Sequence, residues 1–146
     1  MSKVNGLNTI SHKGVLEKFL SYPEEMRIKL LHLRELIFKV AKTNSQIGKI
    51  EETLKWQEPS YLTSQTKSGS TIRIDWKQSC PNQYFMYFNC NTFLIGMFKE
   101  IYGDLFKYGG NRSIIFDKDS MVAIKELSHC IKIALTYNLR KKIICL

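Results

Sequence analysis

The segment Lys67-Ser68-Gly69-Ser70-Thr71, with Arg73 two residues on, holds the residue types best suited to chemistry in this chain of 146 residues. A glycine lets the backbone turn so that successive N–H groups converge, and the hydroxyls add donors between two cations. A second group, Gly109-Gly110-Asn111-Arg112, is a turn that ends in a guanidinium. If the two groups meet across a sheet, Arg73 and Arg112 suit a phosphate or carboxylate, because guanidinium binds either in a bidentate fashion. The competing reading of the first segment is a solvated hairpin loop. Trp56 lies between Lys55 and Gln57 outside any apolar pattern, and it joins Tyr61 as a candidate pocket wall. The candidate ligand-binding set is thus Trp56, Tyr61, Lys67, Ser68, Thr71, Arg73, Asn111 and Arg112. Trp76 and the run Tyr84 to Phe88 read either as core or as a stacking platform for bases.

Metal chemistry has weaker support. Glu126 and His129 share a helix face at ligand spacing, although that face lies opposite the apolar stripe and reads first as solvated. Glu51, Glu52 and Glu58 form a second acidic set. No GxSxG, HExxH, GxxxxGK[ST] or GxGxxG pattern occurs. No catalytic residue and no metal ligand is assigned, no cofactor is expected, and an enzyme ranks last among the functions considered.

These residues need elements to position them. A short helix is predicted over Gly14 to Leu20. Ser21-Tyr22-Pro23-Glu24 has the form of a capping box opening a long helix, on which Met26, Leu30, Leu33, Ile37, Val40 and Ala41 form one stripe. That helix should end between Lys42 and Ser45. Residues 49–56 carry no clear period. Strands are predicted at Ser60 to Thr63, at Thr71 to Trp76, where Ile72, Ile74 and Trp76 alternate with Thr71, Arg73 and Asp75, at Tyr84 to Phe88, and at Arg112 to Phe116. The third is apolar on both faces, which predicts a covered central strand. A short helix over Lys99 to Phe106 is possible between Gly96 and the Gly109 turn. The last helix, capped by Asp119 or Ser120, presents Ile124, Leu127, Ile131, Ala134 and Leu135, while Ile133 and Val122 point to a second contact surface and a homodimer. The expected fold is α+β, an antiparallel sheet of four to five strands with N-terminal helices and a C-terminal helix packed on it. One domain over 1–146 is expected, residues 1–12 forming a loose tail.

Composition sets outer bounds. Apolar residues at 44% and charged residues at 24% exclude a disordered chain or a fibre. Residues 1–14 lack the apolar stretch of a secretory signal, and the longest apolar run, Phe93 to Phe98, is far below the ~18 residues that span a bilayer. The expected location is therefore cytoplasmic, with no membrane partner and with Cys80, Cys90, Cys130 and Cys145 as free thiols, mainly buried. Lys and Arg number 22 against 13 Asp and Glu, a net charge of +9. A polyanion such as nucleic acid is a possible partner on that ground, but the excess is spread along the chain and only Arg140-Lys141-Lys142 is clustered.

The strings Leu54-Lys-Trp-Gln-Glu-Pro-Ser-Tyr-Leu-Thr63, Lys67-Ser-Gly-Ser-Thr-Ile-Arg73, Phe88-Asn-Cys-Asn-Thr92, Gly110-Asn-Arg112 and His129-Cys-Ile-Lys-Ile-Ala-Leu-Thr-Tyr137 resemble the YdhG-like family, domain of unknown function 1801. The similarity spans roughly residues 20–142. Gln57 stands where the family pattern has glycine, which restricts a sharp turn, and Asn138 where it has histidine, which removes a proton carrier or ligand. The resemblance implies a small cytosolic fold comparable with frataxin and no established reaction. Some relatives are described as intracellular iron chaperones. The helix from Tyr22 to Thr43 has more cations than carboxylates, an unfavourable surface for iron. A small anionic ligand is the leading expectation, an iron carrier or a nucleic-acid module the alternatives.

Overall fold

The computed structural model describes the backbone of residues 6–144 and the side chains of residues 6–140. Two helices open it, α1 over Lys13–Ser21 and α2 over Glu24–Lys42. The His12 ring caps α1 by accepting from the Val15 N–H at 3.1 Å. The expected capping box does not form, because only Tyr22 and Pro23 separate the helices and Ser21 is still helical. Its hydroxyl donates to the Lys18 carbonyl instead. The turn is held by Arg27, whose guanidinium donates to the carbonyls of Phe19, Leu20 and Tyr22 and so satisfies the open end of α1.

The sheet has six antiparallel strands, β1 Glu51–Lys55, β2 Glu58–Leu62, β3 Ile72–Asp75, β4 Gln83–Tyr87, β5 Lys107–Gly109 and β6 Ser113–Asp117, in the order β1-β2-β3-β4-β6-β5. The α+β class is as expected, with six strands against the expected four to five. The additions are the edge strands β1 and β5, which are half-wet and short and so lack a strong period. Helix α3, Leu94–Tyr102, begins earlier than the expected Lys99 and passes through Gly96; a 3-10 turn, Gly103–Leu105, follows. Helices α4, Ile124–Leu135, and α5, Tyr137–Ile144, close the chain.

One sheet face supplies Tyr61, Ile72, Ile74, Tyr84, Met86, Ile114 and Phe116 to the core, as the strand register requires. Helix α2 lies on this face, with Phe38 edge-on to Tyr61 at 5.8 Å. β4 is central, and Phe85 on its outer face is buried, stacking on Tyr87. Ile133 is fully buried and Ile124 exposed, which reverses the expected roles on α4 and removes Ile133 as a dimer contact. Ala123 precedes α4 without a side-chain cap, so neither Asp119 nor Ser120 has that role.

Of the expected loose tail, residues 1–5 lie outside the described residues and residues 6–12 are docked, with Gly6 and Ile10 buried. Their anchor is Arg34, which donates to Thr9 Oγ1 at 2.8 Å and forms a two-pronged pair with Glu52 at 2.5 and 2.9 Å. Tyr61 donates its hydroxyl to the same carboxylate at 2.8 Å. Removing one partner of a buried pair strands the other charge. Arg34→Met is therefore expected to cost about 3–5 kcal/mol in urea unfolding. Arg34→Met combined with Glu52→Leu should recover most of that loss.

Candidate functional site

The strand register places Lys55, Glu58, Arg73, Asp75 and Tyr87 on the sheet face opposite the core. Two adjoining clefts open there. One, of ≈ 300 Å³, has Glu58, Arg73, Lys77, Tyr87 and Arg112 in its walls. The other, of ≈ 230 Å³, is bounded by Lys55, Trp56, Thr71, Arg73 and Asn89. Arg73 and Cys90 border both, so the two form one groove. Arg73 and Arg112 thus share a cleft although β4 lies between β3 and β6, the strand that follows Arg112.

The groove has a graded electrostatic floor. Arg73 lies 3.3 Å from the Glu58 carboxylate, and Lys77 bridges Glu58 at 3.3 Å and Asp75 at 3.6 Å. Asp75 is buried, not wet as its alternation suggested, because Tyr22 reaches from the end of α1 to donate to it at 2.6 Å. Arg73 and Lys77 stand 5.9 and 5.6 Å from the centre of the Tyr87 ring. Burial, with the Glu58 and Asp75 carboxylates adding to it, pushes the Tyr87 hydroxyl above its ordinary range, so it stays a neutral donor. Burial also raises the Glu58 carboxyl, against the pull of Arg73 and Lys77. Among the described residues, Lys55 and Arg112 enter no ion pair. The groove therefore presents uncompensated positive charge.

Four of the eight predicted site residues border this groove: Trp56, Thr71, Arg73 and Arg112. Asn111 braces it from behind by donating to the Cys90 carbonyl at 3.2 Å. Tyr61 does not contribute. Its ring is fully buried on the core face, since a strand of five residues leaves the face of each residue open to a one-step error. The Lys67–Thr71 loop is not an anion cradle either. The Ser68 hydroxyl donates to the Leu135 carbonyl at 2.7 Å and the Ser70 N–H to the Ala134 carbonyl at 2.9 Å, which closes the end of α4. Asn138 completes the staple, its amide donating to the carbonyls of Lys67 and Gly69. Gly69 is needed for approach: a Cβ there would sit 2.2 Å from the Leu135 carbonyl carbon. Lys67 is exposed and borders neither cleft.

Sequence reasoning missed Lys77 and Cys90 and assigned Glu58 to a metal set. Extending the β3 alternation to residue 77 was the available signal for Lys77. Cys80 and Cys90 are half-buried and only Cys130 is fully enclosed, where burial pushes its thiol up to about 12. Cys145 lies outside the described residues. The acidic sets are dispersed: Glu51 bonds Ser64, Glu52 holds Arg34, and His129 pairs with the Tyr102 hydroxyl at 2.5 Å. Among the described residues no three His, Cys, Asp or Glu side chains gather as a metal site. Two larger hollows, ≈ 550 and ≈ 470 Å³, flank Met121, but acidic and basic groups mix in their walls and Lys107 pairs there with Asp117 at 2.8 Å.

The β1–β2 turn is the strained part of the groove. Trp56 and Gln57 form a two-residue hairpin connection with φ of 55° and 63°, both in the left-handed region. A sharp turn is therefore made without the glycine it favours, and it leaves Trp56 84% exposed. Comparison of the chain with protein-family models, curated proteins and solved structures found no match. Among the described residues no helix is long and apolar enough to cross a membrane. Because a side chain in the left-handed region costs roughly 1–2 kcal/mol, Gln57→Gly should stabilise the protein by about 1 kcal/mol in chemical denaturation.

Proposed function

We propose that this protein is a cytoplasmic, non-enzymatic member of the YdhG-like family that binds a small anion in the groove between Arg73 and Arg112. The observation that carries the proposal is that Arg73 and Arg112, with Lys55 and Lys77, border one groove in whose walls Glu58 is the carboxylate, Asp75 being enclosed and paired with Lys77. Phosphate and carboxylate oxygens match guanidinium geometry, and a half-enclosed cleft strengthens the attraction relative to open water. Arg112 is the residue best placed to take the ligand, because Arg73 is already engaged by Glu58. The open hairpin side, where the exposed Trp56 borders the cleft with Lys55, would cover the non-ionic part of the molecule.

Neither rival finds an equivalent constellation among the described residues. An iron carrier needs several carboxylates at one place, whereas Glu51, Glu52 and Glu58 are each held by a different partner. A nucleic-acid module would use an extended basic track; Arg140 is exposed, but the Lys141 and Lys142 side chains lie outside the described residues.

Methyl phosphate, inorganic phosphate and acetate at saturating concentration should raise the melting temperature in a thermal-shift screen. Occupying the site at about 100 times the dissociation constant adds about 2.7 kcal/mol, equivalent to about 5 °C or more for a chain of this size. Arg112→Ala should abolish the shift while leaving the ligand-free melting temperature within about 2 °C, since surface changes cost little. Shifts of equal size in the wild type and in Arg112→Ala would overturn the proposal.

A further inference from the structure

We infer that the anion held in this groove also carries an N–H or O–H donor, and that Glu58 is the specificity residue that receives it. This rests on the groove being the binding site. Glu58 is buried, and one of its oxygens, Oε2, accepts from Lys77 at 3.3 Å. The other, Oε1, has no hydrogen-bond partner. Arg73 Nη1 stands 3.3 Å from it, yet its N–H groups do not point at it, so the pair is one of charge proximity only.

A buried carboxylate oxygen without a donor is an uncommon and costly arrangement. Placed in the wall of a basic cleft it also works against a plain anion, which it repels. Both penalties disappear if the ligand brings its own donor. The anionic group then faces Arg112 and the free side of Arg73, while a hydroxyl or amine points at Oε1. The cation-and-carboxylate pattern therefore selects a phosphate ester or carboxylate with a nearby hydroxyl or ammonium group over a bare oxyanion, because a site that leaves its own acceptor unpaired discriminates against ligands lacking the donor.

The test is isothermal titration of the full chain with three probes: methyl phosphate, which bears no such donor, glycerol 3-phosphate, which offers hydroxyls, and O-phosphoethanolamine, which offers an ammonium group. At least one donor-bearing ester should bind about tenfold or more tightly than methyl phosphate. The preferred one identifies the donor as hydroxyl or amine. Glu58→Met, which keeps the length of the side chain but has no acceptor oxygen, should bring the esters to within about twofold. Should that variant not fold, Glu58→Gln, which retains an uncharged oxygen, should reduce the preference to about threefold. Equal binding of all three probes by the wild type, or a preference unchanged in these variants, would overturn the inference and leave the groove standing as an anion site. No binding of any probe would overturn the groove and the inference together.

Discussion

The buried pair between Arg34 and Glu52 is the constraint on which the arrangement of this molecule depends. It joins the middle of α2 to the edge strand β1, receives the Tyr61 hydroxyl from β2, and ties down residues 6–9 through Thr9. Burying two charges is costly, so the pair adds little net stability; its effect is that other registers of β1 would leave a bare charge in the core. With Glu52 fixed inward, the two-residue period of the strand sends Thr53 and Lys55 outward. The hairpin then carries Glu58 outward as well, across from Lys55. The outer polar face, and with it the groove, follows from an interaction on the inner one.

That outer face is organised by competition among charges. Asp75 is enclosed and held by Tyr22, Lys18 and Lys77, so it neutralises charge locally and is not open to a ligand. Glu58 is only partly compensated, and Arg112 is supplied by a turn that β6 brings up to the end of β4, where its carbonyl accepts from Phe88. The result is a basic groove with one buried, unpaired acceptor in its wall. The Lys67–Thr71 loop, which has the composition of an anion-binding turn, is instead spent on the carbonyls at the end of α4. The Ser68 hydroxyl and the Ser70 N–H satisfy a helix terminus that would otherwise be buried without partners.

What was legible in the sequence divides along these lines. Helix α2 and strand β3 have long or clean periods, and their inward residues, from Met26 to Ala41 and at Ile72 and Ile74, are where the periods put them. Arg73 was legible as a cation on the wet face of its strand and Arg112 as one ending a turn, whereas their meeting depended on a strand order the sequence left open. Tyr61 was misplaced because a five-residue strand with few apolar positions gives no unique register. The role of Ser68 and Gly69 could not be read, since it depends on a contact with Leu135 across 67 positions of chain. Asp75 was misread for a similar reason, its cover coming from Tyr22 at a separation of 53. The turn at Trp56 and Gln57 was hidden because neither residue advertises the left-handed backbone it adopts.

The most direct test of this account is to follow the backbone and indole ¹H–¹⁵N NMR signals of the intact chain during titration with glycerol 3-phosphate. The account predicts saturable shifts confined to the groove, at Arg73, Tyr87, Phe88, Cys90 and Arg112 and at the Trp56 indole, with residues 67–70 unmoved. Shifts centred on Lys67 to Ser70, or spread over the sheet without saturation, would contradict it.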